Sequence, residues 1–347
     1  MDNKNPVPGA EFTGLSYVED LSFYLHNDMG DPEIYNQSKK NLETLIELYN
    51  RATTVSFIGA GTSIPLGISD WEKLMRDLFE KAVASGYKGS FSTDPREWPQ
   101  LAQQIYEYYE SGGNLGAYFT TLSRGMTPRN NTTTLTLVKI VLAGNVHLTT
   151  NFDSSIENAY MFLDYLSRHY KTENLRKEYK LFFLPDFQIP IAKTSNCFIY
   201  YLHGSRDKST YILKKSDYDI FYPSVSSSKN SVDSLENFLK GIYKNYCIVF
   251  VGFSFSDLYV RDFFFKLAKQ IEKENKITGD FYNQSGQVYE VKKLKHFLIV
   301  DSKVSKDYGR KFHDTFQTFN IYPIIYKDGE HIFLERLYEN LSLGISI

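Results

Sequence analysis

Four short clusters in the sequence join residue types that do chemistry to glycines that let a backbone approach a ligand. Residues 59–63 read Gly-Ala-Gly-Thr-Ser, with a further glycine at Gly67. Loops of this kind bring backbone N–H groups up to a phosphate, and the Thr62 and Ser63 hydroxyls add donors. Residues 151–153 read Asn-Phe-Asp, 203–204 read His-Gly, and 252–257 read Gly-Phe-Ser-Phe-Ser-Asp. An imidazole titrates near working pH, so His203 can take a proton from a hydroxyl or from water. Each cluster alone also has a plain structural reading: Asp153 and Asp257 suit helix N-caps, the glycines suit turns, and a lone histidine is more often structural.

The elements that must position these residues are legible around them. Each cluster follows a short apolar, β-rich run: 53–58, 145–150, 197–202 and 246–251. Two more such runs occupy 296–300 and 321–326. Strands this apolar suit a parallel sheet covered on both faces by helices. The clearest crossover helix starts near residue 69, where Ser69 and Glu72 form an S-x-x-E capping box, and stops at Gly86. The pattern predicts an α/β fold: a doubly wound, mostly parallel Rossmann-like sheet with helical insertions. Residues 1–50 read as an N-terminal helical extension and 51–347 as the main domain, with a Ser-rich loop or lid inside 205–235. In an open parallel sheet the carboxyl ends of the strands share one edge, where ligands bind. Four clusters, each after a strand, therefore converge on one site.

Composition bounds the partners. Lys plus Arg is 39 against 41 Asp plus Glu, for a net charge of −2. That balance argues against gripping nucleic acid as the main task. The 27 Tyr and 26 Phe are scattered rather than interleaved with Arg. The two cysteines, Cys197 and Cys247, each sit in an apolar run and read as buried free thiols of a reducing compartment. The first residues lack the apolar segment of a signal peptide, and no stretch has membrane-spanning length. A cytoplasmic protein without membrane contact is expected.

The glycine loop is neither of the two commonest phosphate loops. A G-x-G-x-x-G fingerprint needs glycine at 64, where Ile64 stands, and no acid-ended second strand follows at dehydrogenase spacing. No G-K-[ST] occurs, so it is not a P-loop either. A wider loop implies a cofactor laid in another direction, its pyrophosphate against the N–H groups of Gly59, Ala60 and Gly61 and the hydroxyls of Thr62 and Ser63.

The ordered set G-A-G-x-S-x-x-x-G-I (59–68), T-N-F-D (150–153), L-H-G (202–204) and G-F-S-F-S-D (252–257) resembles the Sir2 (sirtuin) family. The resemblance implies NAD+ as substrate and rupture of its nicotinamide–ribose bond through an oxocarbenium-like transition state. His203 matches the family's catalytic histidine, and Asn151 and Asp153 match its Q-N-[IV]-D. Asn151 would hold the ribose hydroxyls or orient a water. Asp70 or Asp153 would meet the nicotinamide carboxamide, while Trp71 packs under the loop or walls the nicotinamide. Gly252, Ser254 and Asp257 would hold the adenosine half. Protein-deacylating members carry a zinc ribbon of paired cysteines, but Cys247 is the single cysteine after His203, so no metal is expected. That absence, the T-T-N-F-D form, the G-x-S-x-x-D ending and Lys214–Tyr218 (K-x-S-D-Y) resemble the bacterial Sir2-like branch associated with NAD+ depletion during phage infection.

Three functions follow in order: an NAD+ glycohydrolase acting as a defence effector, a silent module that senses NAD or ADP-ribose, and a deacylase or ADP-ribosyltransferase, which the missing ribbon disfavours. An unrestrained NAD+ hydrolase would poison its own cell, so control by homo-oligomerisation or a partner is expected. Standalone relatives that pair with a HerA-like ATPase suggest that partner class by resemblance. The apolar positions Leu42, Leu45, Ile46 and Leu48 make the N-terminal extension the expected contact.

Overall fold

In the computed structural model, the described residues are 14–27, 32–49, 53–128, 133–172, 175–184, 187, 196–205, 210–222, 233–284, 294–306 and 312–343. The six apolar runs are all strands: β1 (Thr54–Ile58), β2 (Val146–Thr149), β4 (Cys197–Tyr201), β7 (Cys247–Val251), β8 (His296–Asp301) and β9 (Ile321–Tyr326). A further strand, β3 (Tyr179–Phe183), lies at one edge. The order is β3-β4-β2-β1-β7-β8-β9 and every pairing is parallel, with Val55 opposite both Val146 and Ile248. The sheet is the expected doubly wound, Rossmann-like one.

Alternation along the strands divides the core in two. Val55, Phe57, Leu148, Ile248 and Phe250 face α9 (Asp233–Asn245), α10 (Leu258–Gln284) and α12 (Phe312–Gln317). Ile58, Ile199, Val249 and Val251 face α2 (Pro32–Leu48), α6 (Leu135–Ala143), α7 (Ser155–Tyr170) and α13 (Ile332–Leu343). Between β1 and β2 the chain inserts α3 (Trp71–Ala84), α4 (Trp98–Ser111) and α5 (Leu115–Gly125), which enclose a smaller core around Leu78, Ile105 and Leu122.

Two expectations change. α3 is capped by Asp70, whose Oδ1 accepts from Lys73 N–H (2.7 Å), not by a Ser69–Glu72 box. Ser69 is buried, its N–H donating to Gly125 O (2.9 Å), which displaces the cap by one residue; Glu72 pairs with Arg76 instead. The N-terminal segment is docked on the sheet rather than standing apart. Leu42 and Leu45 are fully buried in the α2-side core, and Asn41 Nδ2 donates to Pro323 O (2.7 Å). His26 N–H donates to Ile325 O (2.9 Å) and Lys327 N–H to Tyr24 O (2.9 Å), adding an extended segment along β9. Its apolar positions thus serve this chain's own core, with Leu48 the exposed one of the four. Most of the Ser-rich stretch expected as a lid, 223–232, lies outside the described residues. Cys197 and Cys247 are buried free thiols. Among the described residues no helix is long and apolar enough to cross a membrane.

Candidate functional site

From β1 the chain winds outward through β2 and β4 on one side, then returns to place β7, β8 and β9 on the other. The switch point is the gap between β1 and β7, and its carboxyl edge is where an open α/β sheet offers a crevice. The loops after β1 and β7 are locked together there. Gly59 N–H donates to Val251 O (2.9 Å) and Gly61 N–H to Gly252 O (2.8 Å). A Cβ on Gly59 would lie 2.4 Å from Gly252 O, and one on Gly252 would lie 2.7 Å from Thr62 N. Gly252 also sits at φ +62°, a conformation that favours glycine. Three residues on, Phe255 holds φ 56° because its ring is clamped by Phe250, Phe253 and Phe316.

The glycines therefore have a different task from the one expected. They let two loops touch, and their N–H groups are consumed in doing so. The N–H groups of Thr62 and Ser63 close a tight turn onto Gly59 O and Ala60 O, and Thr62 Oγ1 donates to Gly59 O (2.9 Å). Within residues 59–63, Ala60 N–H is the amide left without an internal acceptor.

The loop after β2 is tied to the same turn. Thr149 Oγ1 donates to Ile58 O (2.8 Å) and accepts from Asn151 N–H (3.0 Å). Asn151 Nδ2 donates to Gly59 O (3.1 Å) and Ser63 Oγ (3.2 Å), which uses both amide protons and leaves Oδ1 as the atom for a ligand. Ser63 Oγ lies 3.4 Å from Asp153 Oδ1 and 3.1 Å from Ser155 Oγ. Asp153 Oδ1 accepts from Ser155 N–H (2.9 Å) at the start of α7. Burial raises the Asp153 carboxyl, and the bonds from Ser155 and Ser63 oppose that rise.

His203 sits just past β4. Leu202 N–H extends the ladder to Thr149 O (2.8 Å), and a hairpin of β5 (Gly204–Ser205) and β6 (Thr210–Tyr211) holds the other side, with Ile212 N–H donating to His203 O (2.8 Å). The imidazole is 4% exposed, between Phe152 (centroids 6.3 Å), Tyr218 (5.7 Å) and Tyr222 (5.4 Å). Its Nε2 is buried with no hydrogen-bond partner. Burial in this aromatic box pushes its pKa down to about 3, so the ring is neutral at working pH.

The structure thus gathers Gly59, Ala60, Gly61, Thr62, Ser63, Asn151, Asp153 and Gly252 at the switch point, with His203 beside them through Phe152. Asp257 joins from behind: its Oδ1 caps α10 by accepting from Tyr259 N–H and Val260 N–H, and its Oδ2 accepts from the Tyr218 hydroxyl (2.6 Å). Both the cap and the contact to the site wall are real. Ser254 Oγ bonds within its own loop to Ser256 Oγ (2.9 Å). Asp70 and Trp71 lie at the start of α3, and Trp71 packs against the same small core as Phe152. Asp70 is an exposed cap whose Oδ1 is taken by Lys73 N–H, and Trp71 meets Trp98 edge-on (5.9 Å).

Tyr218 and Tyr222 are the site residues that the strand-end reading passed over. They lie one turn apart across α8 (Lys215–Phe221) and its C-cap, so both face His203. K-x-S-D-Y carries the signal for Tyr218, whereas Tyr222 lies four residues beyond it.

A parallel doubly wound sheet with a polar cluster at its switch point is the arrangement of nucleotide-binding α/β proteins. Residues 145–307 match the family model of the SIR2-like domain, and that match supports the resemblance carried by the four clusters. The matched stretch holds Asn151, Asp153, His203, Gly252, Ser254 and Asp257; the glycine loop precedes it. No curated protein matches the chain.

Proposed function

We propose that the protein is an NAD+ glycohydrolase that releases nicotinamide and ADP-ribose. The carrying observation is His203: a neutral, buried imidazole whose Nε2 has no protein partner, at a strand's carboxyl end against Phe152, the residue after Asn151. As the glycosidic bond breaks, the electron pair leaves with nicotinamide and a water oxygen bonds to the ribose carbon. His203 in its neutral form accepts the proton that this water gives up, and Asn151 Oδ1 orients the ribose hydroxyls or the water. Ala60 N–H is the loop donor best suited to the pyrophosphate. We assign the activity to NAD+ depletion in defence against phage, held in check by self-association or by a partner such as a HerA-like ATPase.

The test is incubation with NAD+ and chromatography of the products, alone and with candidate partners, with the mass in solution measured in parallel. Nicotinamide and ADP-ribose should form without any peptide. His203→Gln and Asn151→Ala should each lower the rate about a hundredfold or more. Wild-type turnover in folded His203→Gln would remove the histidine from the mechanism. A second reading, NAD or ADP-ribose sensing without turnover, is favoured by the low basicity that burial gives His203. Tight binding with no product under every activating condition would select it.

A further inference from the structure

Against the His203 ring, the mechanism above leaves a buried polar group unused. The Tyr222 hydroxyl, like His203 Nε2, is sealed from solvent with no hydrogen-bond partner. Tyr222 is 5% exposed, and its ring meets the imidazole at 76° with centroids 5.4 Å apart. Its neighbour Tyr218 is the instructive contrast, because that hydroxyl is satisfied by Asp257 Oδ2 (2.6 Å). A buried hydroxyl without a partner carries its full desolvation cost, and native structures rarely keep one without reason. Two such groups on adjoining rings point to something that bonds to both.

We propose that Tyr222 is a ligand-binding residue whose hydroxyl, together with His203 Nε2, holds one ligand hydroxyl. The chemistry selects the class. Burial keeps both groups uncharged: it pushes the imidazole down and the phenol well above its ordinary value. A neutral Nε2 that accepts needs a donor, and a phenol that donates needs an acceptor. A hydroxyl is both at once; a phosphate oxygen or a carboxylate is an acceptor only. The chain runs Tyr222 O–H to the ligand oxygen, and ligand O–H to Nε2. The anomeric hydroxyl of ADP-ribose has that character, and its oxygen is the one the attacking water supplied, so Nε2 faces the same oxygen before and after the reaction. This assignment rests on the NAD-directed reading of the site, but it is read by binding rather than by turnover.

The deciding variant is Tyr222→Phe, which removes one oxygen and keeps the ring. Without ligand it should melt higher than wild type, by roughly 1–3 °C, because an unsatisfied buried hydroxyl is gone. By calorimetry it should bind ADP-ribose about three- to tenfold more weakly, the scale of one hydrogen bond. Tyr218→Phe should melt lower, since it strips a donor from the buried Asp257 carboxylate. Unchanged ADP-ribose affinity in Tyr222→Phe would overturn the proposal and leave the hydroxyl to a structural water. A lowered melting temperature in that variant would overturn it too, by revealing a structural bond. Failure of the wild type to bind ADP-ribose would refute the ribose assignment, whereas binding without nicotinamide release would sink only the hydrolase reading.

Discussion

His203 is buried deeply enough to leave a mark on the stability of the whole chain. Burial pushes both His203 and His296 down to about 3, and both would titrate near 6.5 in the unfolded chain. Between those values the unfolded state binds the additional protons. Their contribution is therefore full above about pH 6.5 and is lost as pH falls toward 3, at about 1.4 kcal/mol per pH unit for each ring. Asp153 and Asp257 act with the opposite sign, since burial raises both carboxyls and protonation suits them. Urea midpoints should already fall between pH 6.5 and 5, and His203→Gln should make that fall shallower. An unchanged slope in the variant would show that His203 titrates normally.

At the scale of elements, the contact of the β1 and β7 loops decides whether the site exists. A methyl on Gly59 would press on Gly252 O at 2.4 Å and on Phe253 Cα at 2.7 Å, both backbone atoms. Gly59→Ala should cost about 1–3 kcal/mol, the range for overpacking, and should lower nicotinamide release because Asn151 Nδ2 and Thr62 both bond to Gly59 O. Gly116→Ala, with nothing within 4 Å and a helical position in α5, should instead gain a few tenths of a kcal/mol, roughly what helix propensity allows. Denaturant unfolding of the pair checks both signs. Equal stability of Gly59→Ala and wild type would mean that the two loops part easily.

Across the whole molecule the N-terminal segment is a structural member of the sheet. Leu42 is fully buried among the residues of the α2-side core, while Leu48 is 43% exposed. Leu42→Ala should cost about 2–5 kcal/mol and Leu48→Ala less than about 0.5 kcal/mol. Thermal melts of the two proteins measure this difference. A segment kept only for a partner would lose nothing from either change. Any surface that restrains the protein in trans has therefore to be sought elsewhere than in Leu42 and Leu45.

The sheet, and the edge where the polar clusters gather, were legible in the sequence alone. Six apolar runs declared strands covered on both faces, and polar clusters after four of them had to share an edge, since parallel strands end together. β3 escaped notice because an edge strand needs no double apolar face: its residues Lys180 and Leu181 are exposed. Only the tertiary structure decided what each polar group is left free to do. Gly59 and Gly61 look like anion donors until the end of β7 and the loop after it are seen to accept their N–H groups. Ser69 looks like the cap of α3 until its anchoring to Gly125 passes that task to Asp70. Tyr222 looks like one tyrosine among many until it is found beside His203 with its hydroxyl unpartnered. Hydrogen-bond capacity is shared between elements distant in sequence, and local pattern does not record which partner has already claimed it.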